Sequence, residues 1–497
     1  MQLVLALLAA IAPAASAQGD ESQLPNTSPP NILVLFADDL RADMVGAFGA
    51  AKGNAHTPNL DQLAQRGTKL TRIYCQGSRH GAVCAPSRAM LMSGRRLTRT
   101  TDDLQGISLL PEWLREAGYA TFATGKWHNG KASLRRAFPD ASSVFLGGMC
   151  DHFQVPLCDV EGGEVVRSRR PAGHSTEHFA EATIAFLRQH RARDREKPFF
   201  AYVPFTAPHD PRDPPQRWLD RLADMPKPQL PANFRGQHGL NLGKMTMTVR
   251  DENLLGWPRD PAEVRQQLVE YRALVAHLDE QIGRILAALD ELGLRDNTLV
   301  VFTADHGLAL GSHGLLGKQS LYEHSMRAPC IVAGPGVPAG AERDGLCYLL
   351  DLTTTIARWA GLPHPSGVDG VDLRPMILAG EAGRAELFLL YAGSQRAIVR
   401  SRYKLIRLPQ IDRTLAFDLA QDPGESRPLA AGVAGVDAEI ARGLGAALRR
   451  MQADGGDAAA WLADPQLKPV DLDLTGKRWP PDRWQPQWIR QRYWPKK

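Results

Sequence analysis

Short apolar runs alternate along this chain with segments whose apolar residues recur every three or four positions. The runs ILVLF (32–36), YATFAT (119–124), FFAYVPF (199–205) and TLVVFTA (298–304) have the length and composition of buried strands. Between them the clearest helical pattern spans 261–292, where Leu268, Tyr271, Val275, Leu278, Ile282, Ile285 and Leu289 share one face and Gly293 offers a stop. Such alternation predicts an α/β fold, a large sheet flanked by helices, over residues 31–375. The stretch 206–260, rich in Pro, Asp and Arg, reads as an irregular excursion. After about residue 375 the pattern changes. ELFLLYA, QRAIVRS and YKLIRL are short strand-like runs joined by few residues, and a helix is expected near 437–452. They predict a smaller C-terminal α+β subdomain with an antiparallel sheet, spanning 376–475.

Both ends differ from the body. MQLVLALLAAIAPAASAQ pairs an apolar run with Ala15-Ser16-Ala17, so residues 1–17 read as a signal peptide cleaved after Ala17, although no Lys or Arg precedes the run. Residues 18–30 form a polar linker. The tail 476–497 concentrates Trp and Arg; its aromatic and basic side chains suit carbohydrate contact, or staple the tail across the domain surface. No later run reaches the roughly 18 apolar residues a membrane span needs, so no stable membrane insertion is expected. The protein is expected to be exported, to a periplasm or outside the cell. Its net charge of +5 is compatible with an anionic substrate and too small to indicate nucleic acid. An oxidising compartment permits disulfides, and Cys150 with Cys158, in a Gly-rich loop, is the expected pair. No CxxC occurs, which argues against a zinc cluster.

Each predicted strand ends in polar residues. Asp38 and Asp39 follow the first, Lys126 and His128 the second, His209 the third, Asp305 and His306 the fourth. Ligands of α/β sheets bind beyond the carboxyl ends of the strands. Each group alone suits an ordinary turn, but together they predict a crevice of carboxylates, imidazoles and a lysine fit for a hard divalent cation.

The segment CAPSRAMLMSGR (84–95) poses a separate question, since it reads as helical from Ala89 to Gly94. A thiolate at a helix N-terminus would have a lowered pKa, but a tyrosine-phosphatase-type loop needs Arg where Met90 stands. A sulfur ligand would be soft among hard oxygens. A buried structural cysteine stays open on the local sequence.

The same segment resembles the signature of the formylglycine-dependent sulfatases, C-x-P-S-R with a Leu-Thr-Gly-Arg-like end, here altered at Met92 and Ser93. The resemblance extends over about residues 30–430. It includes HTPNLDQLAQRGTKLTRIYC, GKWHNG, APHD, HLDEQIGRIL, ADHGLALGSHGLLGKQSLYEHSMRAPCIVAGPG, RSRYKLIRL and FDLAQDPGE. It implies the alkaline-phosphatase-like fold, and conversion of Cys84 to Cα-formylglycine by a separate maturation enzyme that reads C-x-P-x-R. One hydroxyl of the hydrated aldehyde would attack sulfur, and the other would expel sulfate as the aldehyde re-forms.

The resemblance further implies that Asp38, Asp39, Asp305 and His306, with modified residue 84, hold calcium; an imidazole is a less typical calcium ligand than oxygen, which keeps magnesium or manganese in play. Arg88 and Lys126 would hold the hydrate, and His128 would take its proton as sulfate leaves. Lys318 would grip sulfate oxygens, and His209 would protonate the leaving alcohol, a task Lys318 shares. Lys126, His209 and Lys318 would thus meet substrate. Fixed cations and donors around a sulfate ester match the charge that builds on its oxygens.

The expected substrate is a sulfated carbohydrate or another sulfate ester, with loops 145–175 and 206–260 shaping specificity. Arg167, Arg169 and Arg170 are either contacts to sugar sulfates and carboxylates or a solvated basic run. Two alternatives accompany this reading: a phosphonate monoester or phosphodiester hydrolase of the same superfamily, and a non-catalytic relative that binds sulfated glycans.

Overall fold

The computed structural model describes residues 29–51 and 53–429, with 442–446, 448, 449 and 491 beyond them. The expected signal peptide, nearly all of the linker and, save Gln491, the Trp- and Arg-rich tail lie outside the described residues.

Sixteen strands form two sheets: β1 (Asn31–Ala37), β2 (Thr68–Tyr74), β3 (Gly77–Ser78), β4 (Ala120–Lys126), β5 (Ala141–Phe145), β6 (Leu157–Glu161), β7 (Glu164–Arg169), β8 (Phe199–Pro204), β9 (Thr298–Ala304), β10 (Arg327–Ala333), β11 (Ala341–Arg343), β12 (Cys347–Tyr348), β13 (Glu386–Tyr391), β14 (Gln395–Arg400), β15 (Tyr403–Leu408) and β16 (Arg413–Asp418). The larger sheet is mixed, in the order β11-β2-β10-β9-β1-β8-β4-β5-β6-β7, with β12 also on β2. The four strands read from the sequence are its adjacent parallel centre, β9-β1-β8-β4.

Register explains why their ends converge. Ala37 pairs with Ala304 and Phe36 with Pro204, so β9, β1 and β8 finish level with one another. At the end of β4 the backbone turns close against β8: Gly125 has φ +95°, and a Cβ there would meet the Pro204 carbonyl at 1.9 Å. Only glycine allows that approach, and Lys126 follows it directly. The centre is firmly anchored. Ile32, Leu33, Val34, Leu35 and Phe36 are all buried, each contributing roughly 1.5–3 kcal/mol. That easily outweighs the about 1–3 kcal/mol of a non-glycine residue held at positive φ, as Asp39 is at φ 63°.

The long helix runs Pro261–Glu291 and Gly293 lies just past it at φ 63°, as the apolar spacing predicts. The second sheet, β16-β15-β14-β13-β3, is antiparallel except at one edge, where β3 pairs parallel with β13. The sheet expected from the C-terminal region therefore takes a strand from just before Cys84. Within the expected helix near 437–452, residues 442–446, 448 and 449 are helical, with Leu444 and Leu448 buried against the core. The sheets are also joined by Lys404 on β15, whose Nζ lies 3.1 Å from Glu323 Oε1 and 3.0 Å from Glu425 Oε1 in a buried cluster.

The expected disulfide is corrected: Cys150 and Cys158 are both free thiols. Cys158 sits on β6 with its sulfur against the Val144 carbonyl at 3.5 Å, a direction imposed by the strand and not by the Cys spacing. Among the described residues no helix is long and apolar enough to cross a membrane.

Candidate active site

Cys84 opens a helix, Cys84–Ser93, all of whose residues are buried. The helix begins five residues earlier than the sequence indicated because Pro86 lies in its first turn, where the missing N–H has no intrahelical acceptor to lose. Arg88, one turn on, is the internal tie. Its Nη1 donates to the Lys126 carbonyl at 2.9 Å, and its Nη2 reaches Asp305 Oδ2 at 3.2 Å and Asp38 Oδ1 at 3.5 Å. Its guanidinium also stacks over the Phe36 ring, 5.1 Å to the centroid. Ser87 Oγ donates to the Asp305 carbonyl at 2.8 Å. One helical turn thus clamps the ends of β1, β4 and β9 beneath Cys84.

The predicted residues meet in one place. Asp39 N donates to Asp305 Oδ1 at 3.0 Å, and the Tyr271 hydroxyl donates to the Asp39 carbonyl at 2.6 Å. Lys126 Nζ lies 2.6 Å from Asp38 Oδ2. Lys318 Nζ reaches Asp39 Oδ1 and Oδ2 at 2.7 and 2.9 Å, and Cys84 Sγ at 3.3 Å. His306 Nδ1 lies 2.9 Å from the Gly307 carbonyl, which turns its other ring nitrogen into the cluster. That Nε2 faces Cys84 Sγ at 3.3 Å and Asp39 Oδ1 at 3.5 Å. His209 Nε2 is 3.7 Å from Asp39 Oδ2, while its Nδ1 donates to the Asp210 carbonyl at 2.7 Å. His128, at φ 65°, has a buried Nδ1 with no hydrogen-bond partner among the described residues. Its Nε2 lies 2.4 Å from where a Cβ on Gly148 would stand.

Burial and charge set the protonation pattern. Burial pushes the Cys84 thiol well above its ordinary pKa, and Asp38 adds to the shift. At neutral pH it is a protonated thiol, which removes the thiolate reading. Burial also raises Asp39, to about 6, despite Lys318. For Asp38 and Asp305 burial acts upward too, but neighbouring cations prevail, Lys126 first for Asp38 and His306 first for Asp305, and both lie below the usual carboxylate range. Lys318 is held well above the ordinary lysine value: burial opposes this, and Asp39 overcomes it. His128 is lowered to about 2 by burial and then by Lys126, and His209 falls well below the imidazole range through burial and Lys318. Both imidazoles are neutral in this state.

The donor set fits a hard divalent cation. Ligand atoms of Asp39, Cys84, Asp305 and His306 lie within 4.8 Å of one another, and all four residues are buried. Asp38 Oδ1 is buried beside them and, among the described residues, accepts no hydrogen bond, Arg88 Nη2 standing off at 3.5 Å. Carboxylate oxygens with one imidazole match calcium, magnesium or manganese; the Cys84 sulfur is the one soft atom in the group.

Sequence reasoning missed a supporting wall from the irregular stretch. Glu252 accepts from the backbone N–H of Leu316 (3.0 Å) and Gly317 (2.7 Å), fixing the turn that delivers Lys318. Asp251 Oδ2 accepts from Gln319 Nε2 at 2.9 Å and stands 3.9 Å from Lys318 Nζ. Arg250 Nη2 pairs with Asp210 Oδ1 at 2.7 Å, beside His209. The run RDEN (250–253) was the available signal, a dense charge cluster inside a Pro-rich loop. Of the three basic residues considered for substrate, Arg169 is bound to Asp159 Oδ2 at 2.6 Å and to Ser143 Oγ at 2.9 Å, and Arg167 reaches Asp159 at 3.4 Å.

The fold and this cluster define a class, and comparison with known proteins agrees. The family described as Sulfatase matches residues 30–362, and the C-terminal region of N-sulphoglucosamine sulphohydrolase matches residues 311–454. The chain belongs to the sulfatase family and, as a sulfuric ester hydrolase, shares its alkaline-phosphatase-like fold. It is 28% identical to N-acetylgalactosamine-6-sulfatase of Canis lupus familiaris, covering 76% of this chain and 71% of that protein. It is likewise 28% identical to N-acetylglucosamine-6-O-sulfatase of Bacteroides thetaiotaomicron, covering 81% and 83%. Among solved structures, BT4656 in complex with its substrate D-glucosamine-2-N,6-O-disulfate superposes with a TM-score of 0.72 at 23% identity, over 88% of this chain and all of that one. The sulfatase-like protein yidJ of Bacteroides fragilis gives 0.69 at 22% identity, over 88% and 98%.

Proposed function

We propose that the protein is an exported sulfatase that hydrolyses a sulfate monoester on a sulfated carbohydrate, with residue 84 as Cα-formylglycine and a divalent cation, calcium by preference, held by Asp38, Asp39, Asp305 and His306. The observation that carries the reading is at Cys84. Its side chain is the meeting point of His306 Nε2 and Lys318 Nζ, each at 3.3 Å, inside an oxygen-rich cluster where a thiol neither ionises nor suits the metal. An oxygen function at residue 84 resolves both mismatches. The sugar-sulfate assignment is supported by the names of the 6-sulfatase relatives and by the disulfated glucosamine bound in a similar fold.

When present, the hydrated aldehyde supplies an oxygen nucleophile and the cation offsets charge on sulfate oxygens. The chain's own groups do the rest. Arg88 and Lys126 fix the Asp38 and Asp305 carboxylates and place positive charge beneath residue 84. Lys318, protonated and already aimed at residue 84, meets sulfate oxygens. Neutral His128 has a buried Nδ1 with no partner among the described residues, and it can accept a proton once an anionic ester offsets the cations that depress it. His209 and Lys318 share protonation of the leaving alcohol: Lys318 carries its proton in the resting state, whereas His209 gains one only as the anionic ester approaches. Loss of any one such group costs on the order of 10²–10³ in rate.

The test is turnover by protein co-expressed with a formylglycine-generating enzyme, on an aryl sulfate, an aryl phosphodiester and a panel of sulfated mono- and oligosaccharides. Mass spectrometry of the peptide containing residue 84 accompanies it. Sulfate release with an aldehyde at residue 84 is expected. A phosphodiester preference, or full activity with an unmodified thiol, overturns the reading.

A further inference from the structure

Beside the catalytic cluster, between the end of β5 and the β6–β7 hairpin, lies a groove of about 560 Å³, within the range of ligand sites. Phe145, Leu146 and Pro156 contribute apolar lining, and Arg169 and Arg170 contribute charged lining. Its position relative to the reaction is set by two glycines. Gly147 lines the groove, and Gly148 packs against the His128 imidazole, so the groove begins one residue from a proposed proton acceptor. The Trp127 backbone N–H donates to the Phe145 carbonyl at 2.8 Å, holding that lining to the segment that carries Lys126 and His128.

The two arginines differ in kind. Arg169 is neutralised by Asp159 at 2.6 Å and pinned by Ser143, so its charge is spent inside the protein. Arg170 is exposed and makes a single long hydrogen bond, Nη1 to the Gln154 carbonyl at 3.3 Å, with no carboxylate in ion-pair reach among the described residues. A planar guanidinium with most of its donors free, in a groove that also offers apolar lining, is suited to a carboxylate or sulfate on a sugar ring packed against that lining.

We infer that this groove is a second sugar subsite, in which Arg170 binds an anionic group on the residue adjoining the one that is desulfated. The inference rests on the proposed sulfated-carbohydrate substrate and makes it an anionic oligosaccharide of at least two sugars. Arg170 selects and positions substrate; it takes no part in bond breaking.

The experiment compares wild type, Arg170→Lys and Arg170→Glu after thermal unfolding has shown equal stability. Substrates are an aryl sulfate, too short to reach the groove, and disaccharides and tetrasaccharides from heparin, chondroitin sulfate and carrageenan. The series that wild type turns over best is also prepared with its carboxylates reduced, and separately with its secondary sulfates removed. Arg170→Glu is expected to raise KM for the anionic oligosaccharides on the order of tenfold. In that variant kcat and all aryl sulfate kinetics stay unchanged, and Arg170→Lys recovers part of the loss. Whichever derivative, carboxyl-reduced or desulfated, abolishes the difference between wild type and variant identifies the anion. Unchanged KM for every oligosaccharide with aryl sulfatase activity intact overturns the subsite and leaves the sulfatase reading standing. Equal losses on the intact oligosaccharide and on both of its derivatives overturn it too. Absence of any sulfate ester turnover by matured wild type removes both.

Discussion

Lys318 grips Asp39 through both carboxylate oxygens, at 2.7 and 2.9 Å, while standing 3.3 Å from the Cys84 sulfur. The two groups are buried together, and burial still holds Asp39 up at about 6. Removing the ammonium leaves a buried carboxylate without its main cation, a change that typically costs 3–5 kcal/mol. Lys318→Ala is therefore expected to protonate Asp39 near neutral pH, to weaken divalent-ion binding, and to lower kcat on an aryl sulfate by about 10²–10³. Steady-state kinetics across a calcium titration checks all three; unaltered kcat at saturating metal would remove Lys318 from the machinery.

Crowding of Asp38, Asp39 and Asp305 gives a thermal prediction. A cation that binds only the folded state stabilises it by about 2.7 kcal/mol at a hundredfold excess over Kd. Calcium should raise Tm and a chelator should reverse the gain, whereas Asp305→Asn should abolish it. The same Tm with and without metal in wild type would speak against the ligand set.

The fate of Cys84→Ser separates the proposed chemistry from ordinary covalent catalysis. A serine offers one hydroxyl, enough to accept sulfate but lacking the second needed to expel it. The variant should react once, stop, and carry a sulfate group on residue 84, visible in its intact mass after incubation with an aryl sulfate. Continuous turnover by the serine form would exclude the aldehyde route.

Gly148 is a positional test of His128. A Cβ at this position would stand 2.4 Å from His128 Nε2, too near for any side chain to share the space. Gly148→Ala should push the imidazole by roughly an ångström, and such a misplacement can cost about 10²-fold in rate. The loss is expected in kcat with little change in KM, measured on an aryl sulfate.

A pH effect on stability follows from the joint between the sheets. Burial raises Glu425 to about 7, against the pull of Lys404. The folded state therefore binds a proton that the unfolded state, titrating near 4.5, has already lost. The slope of stability with pH is set by protons bound unfolded minus folded and is negative in this window. The contribution of Glu425 is full below about 4.5, declines through the interval and is gone above about 7. Chemical denaturation from pH 4.5 to 8 should show that decline, and Glu425→Gln should flatten it.

Much of the centre was legible because its logic is local. Four apolar runs, each followed at once by chemistry-bearing residues, became four neighbouring parallel strands whose register brings those residues level. Where the reading failed, the deciding interaction was not local. The helix read from Ala89 has an earlier first turn, and Pro86 sits in it. Cys150 and Cys158 are close in sequence, yet strand geometry turns the sulfur of Cys158 toward the Val144 carbonyl. Glu252 clamps the backbone ahead of Lys318 across a long loop, and an irregular stretch has no periodicity to announce which of its charges turn inward. Arg250 and Asp210, forty residues apart, find each other for the same reason.

The short strand β3 gives the protein a timetable. It pairs with β13 through Leu390 and Tyr391, so the segment leading into Cys84 acquires that neighbour only once the chain has been made far beyond the first sheet. Until then CAPSR stays an accessible peptide; afterwards every residue of its helix is sealed inside. An enzyme that must grasp an extended C-x-P-x-R segment has to act in that interval. On the proposed mechanism, synthesis of the last third of the chain closes the period in which residue 84 can be matured, and a chain that folds first is left with a thiol.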